Sequence, residues 1–183
     1  MRDCWASLFT ERALTYLRRH GATEAGMGVV VQAMVNADVA GVAFTANPLT
    51  GDGGEIVITA AYGLGTSVAD GRVSPDTIRI DKATRGPRDR VMGEKRTRVV
   101  LRRADSGEAS TTPAADGDLA ARTVEEDVPE ALRAELCLSD AHLRALDALC
   151  SRCEAVFGGS QDLEFAVTGD HVHLLQRRAI TRG

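Results

Sequence analysis

Two apolar segments late in the chain, residues 161–167 and 171–181, constrain the fold more than any other feature. They are joined by Thr168-Gly169-Asp170, a short polar turn that contains glycine. Strand-length runs separated by such a turn predict a β-hairpin. The two segments therefore predict adjacent antiparallel strands with polar groups at regular positions.

The polar residues of this hairpin fall on defined faces, because successive side chains of a strand point to opposite sides. Asp162, Glu164 and Ala166 share one face of the first strand, and Gln176 and Arg178 share one face of the second. A carboxylate beside an amide and a guanidinium is a set that holds a divalent cation and a phosphate group together. The hairpin therefore predicts a nucleotide site.

Other apolar runs predict further strands. Their ranges are 27–35, 40–46 and 55–61, followed by a turn and a fourth strand within 73–81 and by short strand cores at 91–92 and 99–101. The first run is almost wholly apolar, so it predicts a buried strand. Its single interior amide, Gln32, is either a core group bonded to the backbone or a contact to a ligand.

One helix is predicted before these strands in the sequence and one after them. Residues 3–19 have the periodicity of an amphipathic helix, and Ser139 is a good N-cap for a helix over 140–157. Cys150 and Cys153 have CxxC spacing, but they lie on the apolar pattern of that helix and no second ligand pair accompanies them. We interpret them as core residues and not as zinc ligands or redox groups.

Three segments outside these elements have more than one interpretation. The Gly63-x-Gly65 motif follows a predicted strand, so it either brings backbone N–H groups to a phosphate or forms a tight turn that needs positive φ. The basic stretch 88–103, which includes Lys95, is typical of a solvated face, with phosphate contact as the alternative. Residues 104–122 are small and polar, so they predict a mobile loop.

Composition limits the function classes. A chain of 183 residues is expected to form one domain with a sizeable core. The net charge of −4 gives no general attraction to nucleic acid or to an anionic membrane, so neither is an expected partner. The sequence contains no run of 18 apolar residues, and its first residues have no apolar signal core, so a cytoplasmic location is expected.

The order of the segments resembles one known family. The motifs that carry the resemblance are 29–35 (VVVQAMV), 41–48 (GVAFTANP), 60–65 (AAYGLG), 73–76 (VSPD), 161–166 (QDLEFA) and 175–181 (LQRRAIT). Together they resemble the nucleotide-binding domain of the pyruvate phosphate dikinase and phosphoenolpyruvate synthase family, to which rifampicin phosphotransferases also belong. The resemblance implies an α+β fold, an ATP-grasp-like C-terminal lobe whose mostly antiparallel sheet has flanking helices and which forms an incomplete domain over residues 1–183.

The resemblance also implies roles for matching residues, with ATP and Mg²⁺ as cofactors. Glu164 resembles the family's metal-binding glutamate, and Gln176 resembles a residue near the metal. Arg178 resembles the cation on the transferring phosphates, and it is the expected catalytic residue because a fixed cation neutralises charge as a phosphoryl group moves. Gln32 resembles the hinge position beside the adenine. The expected nucleotide-binding set is therefore Gln32, Glu164, Gln176 and Arg178, with Glu164 and Gln176 as metal ligands.

The sequence departs from the family in ways that bear on activity. The family's domain has a preceding lobe with a phosphate-binding lysine and arginine, and neither that lobe nor the phosphohistidine domain is expected in this chain. We therefore expect a truncated or split dikinase-type phosphotransferase, inactive alone, that passes the β-phosphoryl of ATP to a carrier histidine on another domain or chain. The alternative is a non-catalytic remnant or partner-binding module of the same fold. The sequence leaves the final acceptor open: pyruvate, an antibiotic or another molecule.

Overall fold

The computed structural model describes residues 1–19, 26–71, 73–102 and 122–180. The chain forms two compact units, Met1–Met34 and Val35–Gly183. The mobile loop predicted over about 104–122 lies outside the described residues, apart from Arg122. Within the described ranges, no helix is long and apolar enough to cross a membrane.

The first unit begins with helical structure. Its elements are α1 (Arg2–Ala6), a 3₁₀ turn (Ser7–Phe9) and α2 (Glu11–Arg19). The helix predicted over 3–19 is thus confirmed as helical, but it is broken at Thr10, whose ψ of 151° is extended. The hydroxyl oxygen of Thr10 accepts a hydrogen bond from the backbone N–H of Ala13 at 3.4 Å. That bond is typical of a helix N-cap, so Thr10 starts a new helix.

The buried strand predicted over 27–35 is wrong. Residues 26–37 have no regular secondary structure, and Val30 and Val31 are 83% and 76% exposed. A strand needs a neighbouring strand to pair its backbone N–H and C=O groups. The part of the first unit that the structure describes contains helices but no strand. Apolar composition alone therefore does not make this segment a strand.

The second unit is built on an antiparallel sheet, as predicted. Its elements are β1 (Val39–Phe44), β2 (Glu55–Tyr62), α3 (Thr66–Ala69), β3 (Asp76–Asp81), β4 (Pro87–Val91), β5 (Thr97–Leu101), β6 (Thr123–Asp127), α4 (Glu130–Arg133), α5 (Asp140–Phe157), β7 (Gln161–Thr168) and β8 (His171–Ala179). Six of the strands form one sheet in the order β4-β3-β2-β1-β7-β8, and β5 pairs with β6 in a separate ladder. The α+β class is therefore confirmed.

One face of the large sheet is covered by α5. Ile58 and Leu163 from the sheet are fully buried, as are Leu146 and Cys150 from the helix, and all four belong to one apolar cluster. Cys153 packs in the same cluster, so the two cysteines of the CxxC spacing are core residues. The opposite face of the sheet is only partly covered. Ala40 and Ala166 are buried there in a second apolar cluster, whereas Val42, Thr59 and Glu164 keep intermediate exposure.

The start of α5 is fixed to the turn of the β7–β8 hairpin. The hydroxyl oxygen of Ser139 accepts from the backbone N–H of His142 at 3.3 Å, and the His142 Nδ1 accepts from the backbone N–H of Ser139 at 3.2 Å. The other ring nitrogen of His142 lies 2.9 Å from the carbonyl oxygen of Gly169. His142 thus takes part in a reciprocal N-cap of α5 and also contacts the turn of the hairpin that carries the predicted site.

A fully buried ion pair joins β3 to the segment before β5. Lys95 and Asp76 both have no exposed side-chain surface, and the Lys95 Nζ donates to Asp76 Oδ1. Backbone N–H groups of Gly93 and Cys137 also donate to the Asp76 carboxylate, each at 2.8 Å. Burial, and then the neighbouring Asp76 charge, raise the pKa of the Cys137 thiol. The prediction of a solvated basic face is therefore wrong for Lys95, although Arg96 beside it is 74% exposed.

Candidate functional site

The β7–β8 hairpin brings the predicted polar residues together. In the antiparallel register Asp162 lies opposite Arg178, and Glu164 lies opposite Gln176. Along β7 the residues Gln161 and Leu163 are buried, whereas Asp162 and Glu164 are partly exposed. The alternation read from the sequence is therefore confirmed, and the polar side chains share the less covered face of the sheet.

Arg178 forms ion pairs with both carboxylates of β7. Its Nη2 lies 2.9 Å from Asp162 Oδ2 and 3.7 Å from Glu164 Oε1. The Asp162 side chain is only 15% exposed, whereas that of Arg178 is 60% exposed. Because the guanidinium is largely exposed to water, an ion pair of this kind contributes only about 0.2–1 kcal/mol. The site thus consists of two neighbouring carboxylates, Asp162 and Glu164, and one arginine with a long, largely exposed side chain.

Asp162 carries an unpaired oxygen at this position. Its Oδ1 is buried, and among the described residues it has no hydrogen-bond partner. A buried carboxylate oxygen without a donor is rare in proteins and costs free energy unless a proton donor or a cation is supplied. The oxygen is therefore positioned to accept a ligand, in particular a metal ion.

The donor set fits a magnesium ion bound together with phosphates. The described residues contain no cluster of three His, Cys, Asp or Glu side chains able to hold a metal. Two carboxylates (Asp162 and Glu164) and one amide (Gln176) are nevertheless adjacent in the register. Mg²⁺ is usually held by one or two carboxylates plus phosphate oxygens and water, and not by a complete protein cage. The residues present therefore fit the metal that the resemblance implies.

Arg177 lies between Gln176 and Arg178 on β8 but contacts residues on the other side of the sheet. It lies on the opposite face, with its Cζ 3.9 Å from the centre of the Phe157 ring and its Nη1 donating to Gln161 Oε1 at 3.1 Å. Gln161 in turn donates to the carbonyl oxygen of Gly158 at 2.6 Å. A cation above an aromatic ring adds about 0.5–1 kcal/mol at an exposed site. These contacts connect β8 to the end of α5.

Gln176 is exposed on the edge strand. A register shift between Glu164 and Phe165 lets Leu175 pack with the smaller apolar cluster while Gln176 still lies opposite Glu164. The amide is thus free to turn toward a ligand on the sheet face. Its role near the metal stays a prediction.

Gln32 belongs to the first unit, Met1–Met34, where its side chain is exposed. The interpretation of Gln32 as a core group is therefore excluded. The predicted contact to the adenine stays a prediction.

The Gly63-x-Gly65 segment is a tight turn. Gly63 has a φ of 83°, and its N–H donates to the carbonyl oxygen of Asp38 at 2.8 Å. The next N–H, of Leu64, donates to the carbonyl oxygen of Val99 at 2.8 Å. Two N–H groups of the segment are thus used within the protein, which favours the turn over a phosphate loop.

Asp162 lies on the predicted face of β7, but it was not among the predicted site residues. Its side chain is more buried than that of Glu164, at 15% against 42% exposed, and it makes the shorter bond to Arg178. The signal available from sequence was the two-residue spacing from Glu164. Such spacing places two carboxylates side by side on one strand face.

Comparison with known proteins gives a consistent result. The chain matches the family described as "Pyruvate phosphate dikinase, AMP/ATP-binding domain" over residues 1–183. It is 37% identical over 183 residues to a probable phosphoenolpyruvate synthase of Methanothermobacter thermautotrophicus, covering 99% of this chain and 24% of that protein. It is 38% identical over 181 residues to the prodigiosin synthesizing transferase PigC of Serratia marcescens, covering 99% and 18%. It is 37% identical over 180 residues to a rifampicin phosphotransferase of Streptomyces sp, covering 97% and 19%. The chain thus spans about a quarter or less of the length of these relatives.

Proposed function

This chain belongs to the pyruvate phosphate dikinase AMP/ATP-binding domain family, and on that premise we propose that its β7–β8 hairpin binds the phosphates of ATP together with Mg²⁺. The observation that carries the proposal is the arrangement around Arg178. One guanidinium pairs with two carboxylates, and the more buried carboxylate has an oxygen without a partner. Cation-binding oxygens and a phosphate-binding cation are therefore adjacent on one sheet face.

We propose a role for each of the four polar residues on the site face of β7 and β8. Asp162 and Glu164 bind the magnesium ion, and Gln176 supplies an amide oxygen near it. Arg178 binds the transferring phosphates through its planar guanidinium, which matches phosphate geometry better than a lysine ammonium does. Gln32 contacts the adenine. Bound magnesium would supply charge neutralisation on the phosphate oxygens.

The proposed reaction follows the family. A carrier histidine on another domain or chain receives the β-phosphoryl group of ATP, with AMP and phosphate released and one water consumed. The described sheet then acts as the C-terminal lobe of an ATP-grasp-like fold. Positioning and charge neutralisation supply most of the catalysis of phosphoryl transfer. Among the described residues, Arg178 is the cation that pairs with the candidate metal ligands, so we expect this chain alone to bind nucleotide weakly and not to turn it over.

Titration calorimetry with a non-hydrolysable ATP analogue and Mg²⁺ tests the binding proposal. We expect Glu164→Ala and Asp162→Ala each to weaken binding about tenfold or more, the size seen when a residue supporting a metal site is lost. Asp170→Ala is the matched control, because Asp170 is an exposed carboxylate in the turn of the same hairpin. Equal affinity of wild type and both site variants would refute the metal assignment. Absence of binding by the wild type, alone and with a partner lobe, would favour the non-catalytic module.

The turnover proposal has its own test. The purified chain is incubated with ATP and Mg²⁺, and AMP and phosphate are measured. We expect no product from the chain alone. AMP formation by the isolated wild type, lost in Arg178→Gln, would refute the statement that a further phosphate-binding lobe is needed.

A further inference from the structure

Arg178 occupies the place where a cation would be expected. Its Nη2 approaches Asp162 Oδ2 to 2.9 Å and Glu164 Oε1 to 3.7 Å, so a single positive group serves both carboxylates. A divalent cation that binds Asp162 Oδ2 or Glu164 Oε1 must therefore compete with the guanidinium for that oxygen. The competition concerns Oδ2 of Asp162 most directly, because Oδ1 has no partner among the described residues.

We infer that Arg178 acts as an internal counter-ion that keeps divalent cations out of the site until a nucleotide arrives. This inference rests on the proposed function of the hairpin. Without nucleotide, Arg178 neutralises Asp162 and Glu164, and the metal alone binds poorly. With nucleotide, the phosphates attract the guanidinium, the two carboxylates are released to the metal, and metal and nucleotide bind together.

The two neighbouring arginines differ in a way that supports this exchange. Arg177 is fixed by the Phe157 ring and by Gln161, and it faces α5. Among the described residues, Arg178 forms ion pairs only with the two carboxylates, and its side chain is 60% exposed. A long, exposed side chain on an edge strand changes partner at low cost, because its ion pair in water is worth only about 0.2–1 kcal/mol. Arg178 is therefore the arginine able to move between carboxylate and phosphate.

The exchange has a thermodynamic consequence. If nucleotide removes the arginine from the carboxylates, nucleotide raises the affinity for the metal, and by linkage the metal raises the affinity for nucleotide by the same factor. Part of this coupling depends on the Arg178 side chain. Removing it should therefore raise the affinity for the metal in the absence of nucleotide and reduce the factor by which nucleotide raises that affinity.

The test measures binding of Mn²⁺, as a stand-in for Mg²⁺, by the loss of its electron paramagnetic resonance signal, without and with a saturating non-hydrolysable ATP analogue. The full chain is used as wild type and as Arg178→Gln. Without nucleotide we expect Arg178→Gln to bind Mn²⁺ about three- to tenfold more tightly, the size expected from losing one partly exposed ion pair and one nearby like charge. The gain in Mn²⁺ affinity that the analogue produces should be smaller in Arg178→Gln than in wild type.

Two further variants exclude a general charge effect. Arg177→Gln removes a positive charge from the adjacent residue and should leave the affinity for Mn²⁺ alone unchanged, with circular dichroism confirming that the sheet is intact. Arg178→Lys keeps the charge and should stay close to wild type. An equal rise in Arg177→Gln and Arg178→Gln, or no rise in Arg178→Gln, would overturn the inference.

The outcomes separate this inference from the proposed function. If wild type binds Mn²⁺ with the analogue while Arg178→Gln binds Mn²⁺ alone no better than wild type, the counter-ion role fails and the nucleotide site stands. If wild type binds neither Mn²⁺ nor the analogue, and Arg178→Gln also binds no Mn²⁺, the proposed function fails and the inference fails with it.

Discussion

Replacing Lys95 by methionine removes the cation from a fully buried ion pair, and we expect the second unit to lose about 3–5 kcal/mol of its free energy of unfolding. Methionine keeps most of the length and volume of the lysine stem, so little of this loss comes from a cavity. The cost arises because the Asp76 carboxylate, with no exposed surface, is left without its counter-charge. Its two backbone donors, the N–H groups of Gly93 and Cys137, remain.

The double variant Lys95→Met with Asp76→Asn separates charge from packing. Asparagine removes the buried charge but keeps one oxygen acceptor, so at most one of the two backbone N–H groups that face position 76 loses its partner. An unpaired buried donor costs about 1–3 kcal/mol. We therefore expect the double variant to be more stable than Lys95→Met alone, by about 1–3 kcal/mol.

Urea unfolding followed by far-ultraviolet circular dichroism is the suitable assay. Tryptophan fluorescence is not, because the only tryptophan, Trp5, lies in the first unit. Arg96→Met is the matched control: this neighbouring cation is 74% exposed, and its loss should change stability by no more than about 0.5 kcal/mol. A cost below about 1 kcal/mol for Lys95→Met, or a double variant that loses the sum of both single losses, would refute the reasoning.

Three further predictions concern the second unit. Gly63→Ala should destabilise it by about 2 kcal/mol or more, because a Cβ there would lie 2.4 Å from the Val99 carbonyl oxygen at a φ of 83°. Gly53→Ala, with nothing within 4 Å of the added carbon, should be neutral in the same urea titration. Ser139→Ala should cost about 1 kcal/mol through loss of the α5 cap, measured as a lower urea midpoint at unchanged slope; a neutral result would mean that the His142 half of the cap suffices. Burial raises the pKa of the Cys150 thiol from 9.0 to about 12. As the pH rises, this thiol therefore ionises in the unfolded chain first. Its ionisation should lower the free energy of unfolding by about 1.4 kcal/mol per pH unit between pH 9 and pH 12, with no effect below pH 9. If the free energy of unfolding, measured by urea titration at each pH, falls equally steeply in Cys150→Ala, this assignment is contradicted.

Local pattern was sufficient to predict some elements. The hairpin and α5 follow from strand alternation, a glycine turn and a serine cap, and these signals lie within the segments themselves. The shared face of Glu164 and Arg178 follows from the same alternation. In such places sequence and structure agree because each residue's preference and its environment point to one conformation.

Other features depend on partners far along the chain. The apolar run 27–35 has strand composition, but a strand also requires a neighbour, and sequence does not say whether one is present. Lys95 lies in a basic stretch, yet it is buried because Asp76 on β3 and the backbone of Gly93 receive its ammonium group. Asp162 was placed on the correct face, but its unpaired oxygen is visible only in three dimensions.

The strand order of the sheet has a consequence for how the protein is made. β1 lies between β2, its successor in the chain, and β7, which follows long after it; Val42, for example, pairs with Thr59 on one side and with Glu164 on the other. During synthesis β1 to β4 emerge first, and until β7 is available β1 is an open edge of strongly apolar residues. Pairing over such a sequence separation is slow, and open edges invite pairing between chains. The hairpin that carries the candidate site is thus also the element that completes the sheet and covers the edge of β1. Ribosome-bound chains that stop before β7 should therefore recruit chaperones or aggregate more than longer chains do.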